Sequence, residues 1–149
     1  MLLHLDYSLD KLALWEIANT LRSQATNYID PRINQTIKNW MVIKHTSPYI
    51  EKIISDFGVG GSPRFYWLEP NSRLSTHVDN GTKCSINLIL NDNPAPVTIL
   101  NTDLVYTQAL LNTSLPHSVT NGPEERVLLK ISIFDKTFDE VASCIRYKK

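Results

Sequence analysis

The sequence predicts a mainly β fold, a sandwich or jelly roll with flanking helices, and three observations carry that expectation. Between Pro63 and Asp135, short runs rich in β-branched and aromatic residues recur at close, fairly regular intervals. Turn residues fill the gaps between them, as in Asn80-Gly81, Asn91-Asp92-Asn93-Pro94, Asn101-Thr102-Asp103 and Asn121-Gly122-Pro123. Helical periodicity is confined to segments before and after this block. The chain has 149 residues, 42% of them hydrophobic, which suits one domain with one core. Its expected parts are a helical N-terminal portion over about 1–61, a β core over about 63–135 and a C-terminal helix over about 137–146.

The first helix is expected over about 8–25, where Leu14, Ile17, Ala18, Leu21 and Ala25 recur at helical spacing. Residues 39–44 are short, apolar and β-branched, and read as a strand. A second helix over 47–57 is well punctuated: Ser47 can cap it, Pro48 fits its first position and Gly58 follows its last turn. Ile50, Ile53, Ile54 and Phe57 supply its buried stripe. Eight strands are then expected, at 64–68, 74–79, 83–90, 97–100, 104–106, 109–112, 117–120 and 126–134, the number and rhythm of a sandwich or jelly roll. Thr137 with Glu140 three residues on is a capping-box pattern that starts the last helix.

With 15 basic and 15 acidic side chains, the formal net charge is zero. That gives no electrostatic argument for a nucleic-acid partner or a membrane surface. Two cysteines, Cys84 and Cys144, make no disulfide framework and read as buried free thiols. No apolar run reaches the ~18 residues of a membrane span, and the first residues lack a signal peptide's basic start and long apolar stretch. The expectation is a cytoplasmic protein.

The chemistry concentrates in His77-Val78-Asp79 and His117. On a strand, residues i and i+2 share a face, so His77 and Asp79 can reach one ion while Val78 points away. A histidine from another strand completes a facial set of two imidazoles and one carboxylate. Non-haem Fe(II) oxygenases use that donor set with the opposite side open. His4 and His45 have no such context. Arg126 comes next: Asn121-Gly122-Pro123 reads as a hairpin turn, which would set the returning strand beside His117. Alternation in that strand puts Arg126, Leu128, Lys130, Ser132 and Phe134 on one face, and apolar Val127, Leu129, Ile131 and Ile133 on the other. An arginine there offers a two-pronged donor to a carboxylate.

On His77-Val78-Asp79-Asn80, His117-Ser118-Val119, Arg126 and Phe134-Asp135, the chain resembles the Fe(II)- and 2-oxoglutarate-dependent dioxygenase superfamily, particularly its prolyl-hydroxylase-like branch. The resemblance spans roughly Arg64 to Asp135. It implies a double-stranded β-helix, that is, a jelly roll flanked by helices. It also implies that His77, Asp79 and His117 ligate Fe(II) and that Arg126 binds the distal carboxylate of 2-oxoglutarate. Asn87, with Ser85 weaker, is in phase to help hold the cosubstrate. Tyr66 and Ser132 are further candidate contacts, and Lys130 is the reserve carboxylate partner. The implied reaction consumes O2 and 2-oxoglutarate, releases succinate and CO2, and hydroxylates a C–H bond of a protein residue or a small molecule. No separate acid or base is required, and a carboxylate at Asp79 argues against halogenation. The chain departs from the family pattern at Glu69-Pro70-Asn71-Ser72, where a Pro-Gly turn is common. The loops over 91–96 and 58–62 are expected to shape the entrance.

Two other functions compete. A non-catalytic, cupin-like metal-binding jelly roll has the nearest architecture, but the cupin His-x-His with a following Glu is not found. A zinc hydrolase could use the same ligands, yet no motif such as His-Glu-x-x-His supplies its base.

Overall fold

A computed structural model describes residues 1–30 and 35–149 of the chain. The first helix, α1 (Lys11–Leu21), starts where the Asp10 side chain accepts from the Ala13 amide, and a 3-10 turn (Arg22–Gln24) ends it. Helix α2 (Pro48–Phe57) has Ser47 as its N-cap, accepting from the Ile50 amide, and Gly58 in the left-handed conformation at its end. Helix α3 (Phe138–Cys144) carries the expected capping box between Thr137 and Glu140. Helices α2 and α3 follow the punctuation of the sequence, whereas α1 is shorter than the expected 8–25.

The strands are β1 (Leu2–His4), β2 (Thr26–Asp30), β3 (Gln35–Lys44), β4 (Ser62–Leu68), β5 (Arg73–His77), β6 (Cys84–Ile89), β7 (Val97–Ile99), β8 (Thr102–Leu104), β9 (Gln108–Leu111), β10 (His117–Thr120) and β11 (Arg126–Ile133). They form a seven-stranded sheet in the order β1-β9-β6-β11-β4-β3-β2 and a four-stranded sheet in the order β5-β10-β7-β8. Every strand pairing within them is antiparallel. This is a jelly roll with flanking helices, as expected from the strand rhythm. Strands β1 and β2 were not anticipated, because Leu2–His4 is too short to show a period and Thr26–Asp30 follows directly on a helix. The strand expected at 104–106 falls instead at Thr102–Leu104, which leaves Tyr106 in a loop.

Two apolar cores sit on the two faces of the larger sheet. One joins its outer face to the helices: Val127, Leu129, Ile131 and Ile133 pack with Leu14, Ala18, Ile50, Ile53, Phe57 and Val141. The other lies between the sheets, where Trp40, Tyr66, Leu68, Ile89 and Leu128 meet Val97 and Ile99. The alternation read in the last strand is therefore the structural division of the molecule. Gly61 serves the first core, since a Cβ there would meet Ile131 Cγ2 at 2.5 Å.

Two expectations are corrected. The turn at 121–125 does not close a hairpin: β10 pairs with β5 and β7, while β11 pairs with β4 and β6. The chain crosses from one sheet to the other, and Arg126 approaches the histidines across the gap between the sheets. Cys84 is buried as expected, but Cys144 is exposed on the last turn of α3.

Candidate metal centre

His77 and His117 are direct cross-strand partners of β5 and β10, and their ring centroids lie 4.3 Å apart. The register slips beside them: His117 faces His77, but Val119 faces Leu74, two residues on against three. An extra residue in β5 thus rephases the strand, which lets both Leu74 and His77 turn toward the space between the sheets. Asp79 lies just beyond the end of β5, where its amide donates to the Thr113 carbonyl at 3.1 Å. Val78 is 39% exposed between His77 and Asp79.

His77 Nδ1 is 2.7 Å from the Ser75 carbonyl, and His117 Nδ1 is 2.8 Å from the Leu115 carbonyl. A carbonyl only accepts, so each Nδ1 carries the hydrogen and orients its ring. The Nε2 atoms then converge on one carboxylate oxygen, Asp79 Oδ1, at 3.3 Å from His77 and 3.2 Å from His117. In neutral rings these are three lone-pair donors aimed at a common point, an arrangement that a cation resolves. Ligand bonds of about 2.1 Å at right angles would set neighbouring donors about 3 Å apart, close to the spacing seen. His77, Asp79 and His117 are the cluster of potential metal ligands among the described residues, with ligand atoms all within 4.8 Å of one another.

The other oxygen, Asp79 Oδ2, accepts from Lys130 Nζ at 2.8 Å, and both side chains are about nine-tenths buried. Burial alone would raise the Asp79 carboxyl, but in the metal-free site any Nε2–H that His117 or His77 carries, together with the Lys130 ammonium, overcomes it and holds it far below the usual carboxylate range. Burial likewise pushes the Lys130 ammonium down, and the Asp79 carboxylate more than reverses the effect. With Oδ2 occupied by Lys130, Asp79 offers one oxygen toward the histidines.

Beyond the histidines an inner cavity of about 60 Å3 runs between the sheets, lined by Arg126, Asn87, Tyr66 and Lys130 among the expected residues. Arg126 is 2% exposed at its far end. Its Nη1 donates to the Ala95 carbonyl, its guanidinium stands 5.5 Å from the Tyr106 ring centroid, and its Nη2 is buried with no partner. Asn87 donates to Tyr106 Oη at 3.1 Å and accepts from Ser85 Oγ at 2.8 Å. Ser132 lines a separate, wider cleft of about 440 Å3 on the opposite side of His77 and Asp79, away from Arg126. Tyr66 and Lys130 border both spaces.

Sequence reasoning missed Tyr106, Thr113 and Trp40. Tyr106 and Thr113 sit in loops and carry no periodic signal; Trp40 was read only as part of a strand. The entrance also differs from expectation. The loops over 58–62 and 91–96 do not line the wide cleft, whose walls come from β2, β3, β4 and β11 and from residues 77–82. The 91–96 loop instead holds Arg126 through Ala95 and places Asn93 against Asn121 and the 124–125 carbonyls.

No family model and no curated protein matches this sequence. Solved structures do match the fold. A prolyl-4-hydroxylase of Pseudomonas putida superposes with a TM-score of 0.65 at 14% identity, covering 91% of this chain and 92% of that one. A prolyl hydroxylase of Trichoplax adhaerens, solved with a hypoxia-inducible-factor peptide fragment, gives 0.68 at 12% identity, with 96% and 85% covered. A cupin-2 domain of Rhodospirillum rubrum gives 0.50 at 10% identity, with 75% and 70% covered. The chain has the jelly-roll fold that these proteins share. No helix among the described residues is long and apolar enough to cross a membrane.

Proposed function

We propose that the protein is an Fe(II)- and 2-oxoglutarate-dependent dioxygenase that hydroxylates a C–H bond. The observation that carries the reading is the pairing of two features across one narrow cavity. At one end three ligand atoms converge from His77, Asp79 and His117; at the other a buried guanidinium nitrogen of Arg126 has no partner. An unsatisfied buried donor on a cation is costly, and a carboxylate entering the cavity would satisfy it. The residues therefore fit a dicarboxylate with one end on the metal and the other on Arg126. Asn87 and Tyr106 would flank its chain.

Iron with 2-oxoglutarate and O2 supplies the oxidising chemistry, and the protein contributes binding, orientation and electrostatics. Ser75 and Leu115 set the tautomers that leave Nε2 free. Lys130 keeps Asp79 ionised and occupies its second oxygen. The apolar walls between the sheets restrict water around the reacting atoms.

A cupin-like binding protein shares the architecture, but the unpartnered Arg126 nitrogen favours a site built for an acidic ligand. The test is succinate formation from 2-oxoglutarate by the Fe(II)-loaded protein. His77→Ala and Asp79→Ala should each abolish it; turnover that persists in both would remove the metal assignment.

A further inference from the structure

The wide cleft outside the metal centre has a charge pattern that the oxygenase reading does not use. Arg64, Asp79 and Lys130 are the charged residues that line it. Asp79 and Lys130 neutralise one another at 2.8 Å. Arg64 is half-buried and makes no hydrogen bond or ion pair among the described residues. In the register of the larger sheet, Arg64 on β4 lies directly opposite Lys130 on β11 and directly opposite Lys44 on β3. Three cations thus form a row across adjacent strands on the metal-facing side, and among the described residues only the innermost has an anion. Like charges set directly opposite one another in a sheet are destabilising. A half-buried guanidinium without a partner adds to that cost.

Besides His77 and the neutral polar groups of Asn80, Thr82 and Ser132, the cleft is lined by apolar and aromatic side chains. Tyr28, Trp40 and Tyr66 form an aromatic wall: Trp40 stacks on Tyr66 with centroids 5.0 Å apart, and Tyr28 tilts against Trp40 at 4.3 Å. Ile29, Val78 and Phe134 stand at its rim, 57%, 39% and 47% exposed. Large apolar side chains gathered at the mouth of one cleft mark a surface for a ligand. Among the described residues, a cationic substrate would meet Arg64 and no free carboxylate. A neutral one would leave the guanidinium unpaired.

We propose that the primary substrate of this oxygenase is a carboxylate with an apolar body, held by a planar charge-assisted contact from Arg64 while the apolar part rests on the aromatic wall beside His77. The proposal rests on the oxygenase reading and specifies its substrate class. The carboxylate can belong to a free acid or to an acidic side chain in a peptide, and the two sources are separable by experiment.

Binding is measured by calorimetry on the protein loaded with Fe(II) and saturating 2-oxoglutarate under anaerobic conditions. The probes are N-acetyl-L-leucine against N-acetyl-L-leucinamide, and a capped Ala-Leu-Asp-Ala peptide against its Asn counterpart. In at least one pair the acid should bind at least about tenfold more tightly than the amide, the scale of one charge-assisted hydrogen bond. Arg64→Lys should keep the preference and Arg64→Gln should erase it. The pair that shows it identifies the source. Equal binding of acid and amide in both pairs would overturn the proposal. So would a preference that survives Arg64→Gln, or an acid that binds only by displacing 2-oxoglutarate. The oxygenase reading fails separately, through the absence of metal-dependent succinate formation in the unaltered protein.

Discussion

The two faces of the larger sheet are built from the same strands and do opposite things. On the outer face, Val127, Leu129, Ile131 and Ile133 of β11 are buried without exception against the helices. On the inner face, the alternate positions Arg126, Lys130 and Ser132 are also buried, yet they are polar. Outside, each side chain is satisfied by packing alone. Inside, His77, Asp79 and His117 converge on one another and Arg126 keeps an unpartnered nitrogen. One face is complete as it stands, whereas the other leaves polar groups that the proposed metal and cosubstrate would satisfy. The rigid outer face holds strands β4, β6 and β11 in register, so that the costly groups on their other side keep their geometry.

Substitutions can break this contrast in either direction. The largest effect is expected from Asp79→Ala, which should eliminate succinate formation while the fold persists, as read by circular dichroism. Lys130→Met should destabilise the metal-free protein by about 3–5 kcal/mol, because it leaves a buried carboxylate uncompensated. Added Fe(II) should recover much of that loss, since the cation takes over the role of the ammonium; urea titration with and without metal measures the difference. On the outer face, Leu129→Ala should cost about 2–5 kcal/mol through the cavity it leaves. At low temperature that variant should turn over 2-oxoglutarate like the unaltered protein. A loss of metal affinity there would blur the contrast.

The smallest expected effect is a thiol. Burial, aided by Asp135 and Glu140, pushes the Cys84 thiol up to about 11 from 9.0. A raised value in the folded protein means stability that is intact below pH 9 and falls as the pH climbs toward 11. The loss should be about 2 kcal/mol, and Cys84→Ala should remove that slope from a stability–pH series. Cys144, exposed on α3, should react with a thiol reagent at pH 8 in the native state, and Cys84 only on unfolding.

The outer face was legible in the sequence because burial against helices leaves a clean alternation, as in β11, and the helix ends carry local capping chemistry at Ser47, Gly58 and Thr137. The site was legible for a different reason: His77, Asp79, His117 and Arg126 are chemically unusual residues in a recognisable order. How they meet was not legible. The bulge in β5 breaks the alternation over residues 74–77, and the supposed hairpin is a crossover between sheets. Pairing between distant strands leaves no local trace. Tyr106 and the walls of the wide cleft depend on the same long-range pairing, so they too were invisible.

The central claim is that the inner face holds 2-oxoglutarate between the metal and Arg126. Anaerobic titration of 2-oxoglutarate into the protein with and without Fe(II) tests it most directly. The account predicts saturable binding that requires the metal and weakens by about 10–100-fold in Arg126→Gln, the range for losing charge-assisted hydrogen bonds to a carboxylate. Binding of equal strength without Fe(II), or unchanged in Arg126→Gln, would contradict it.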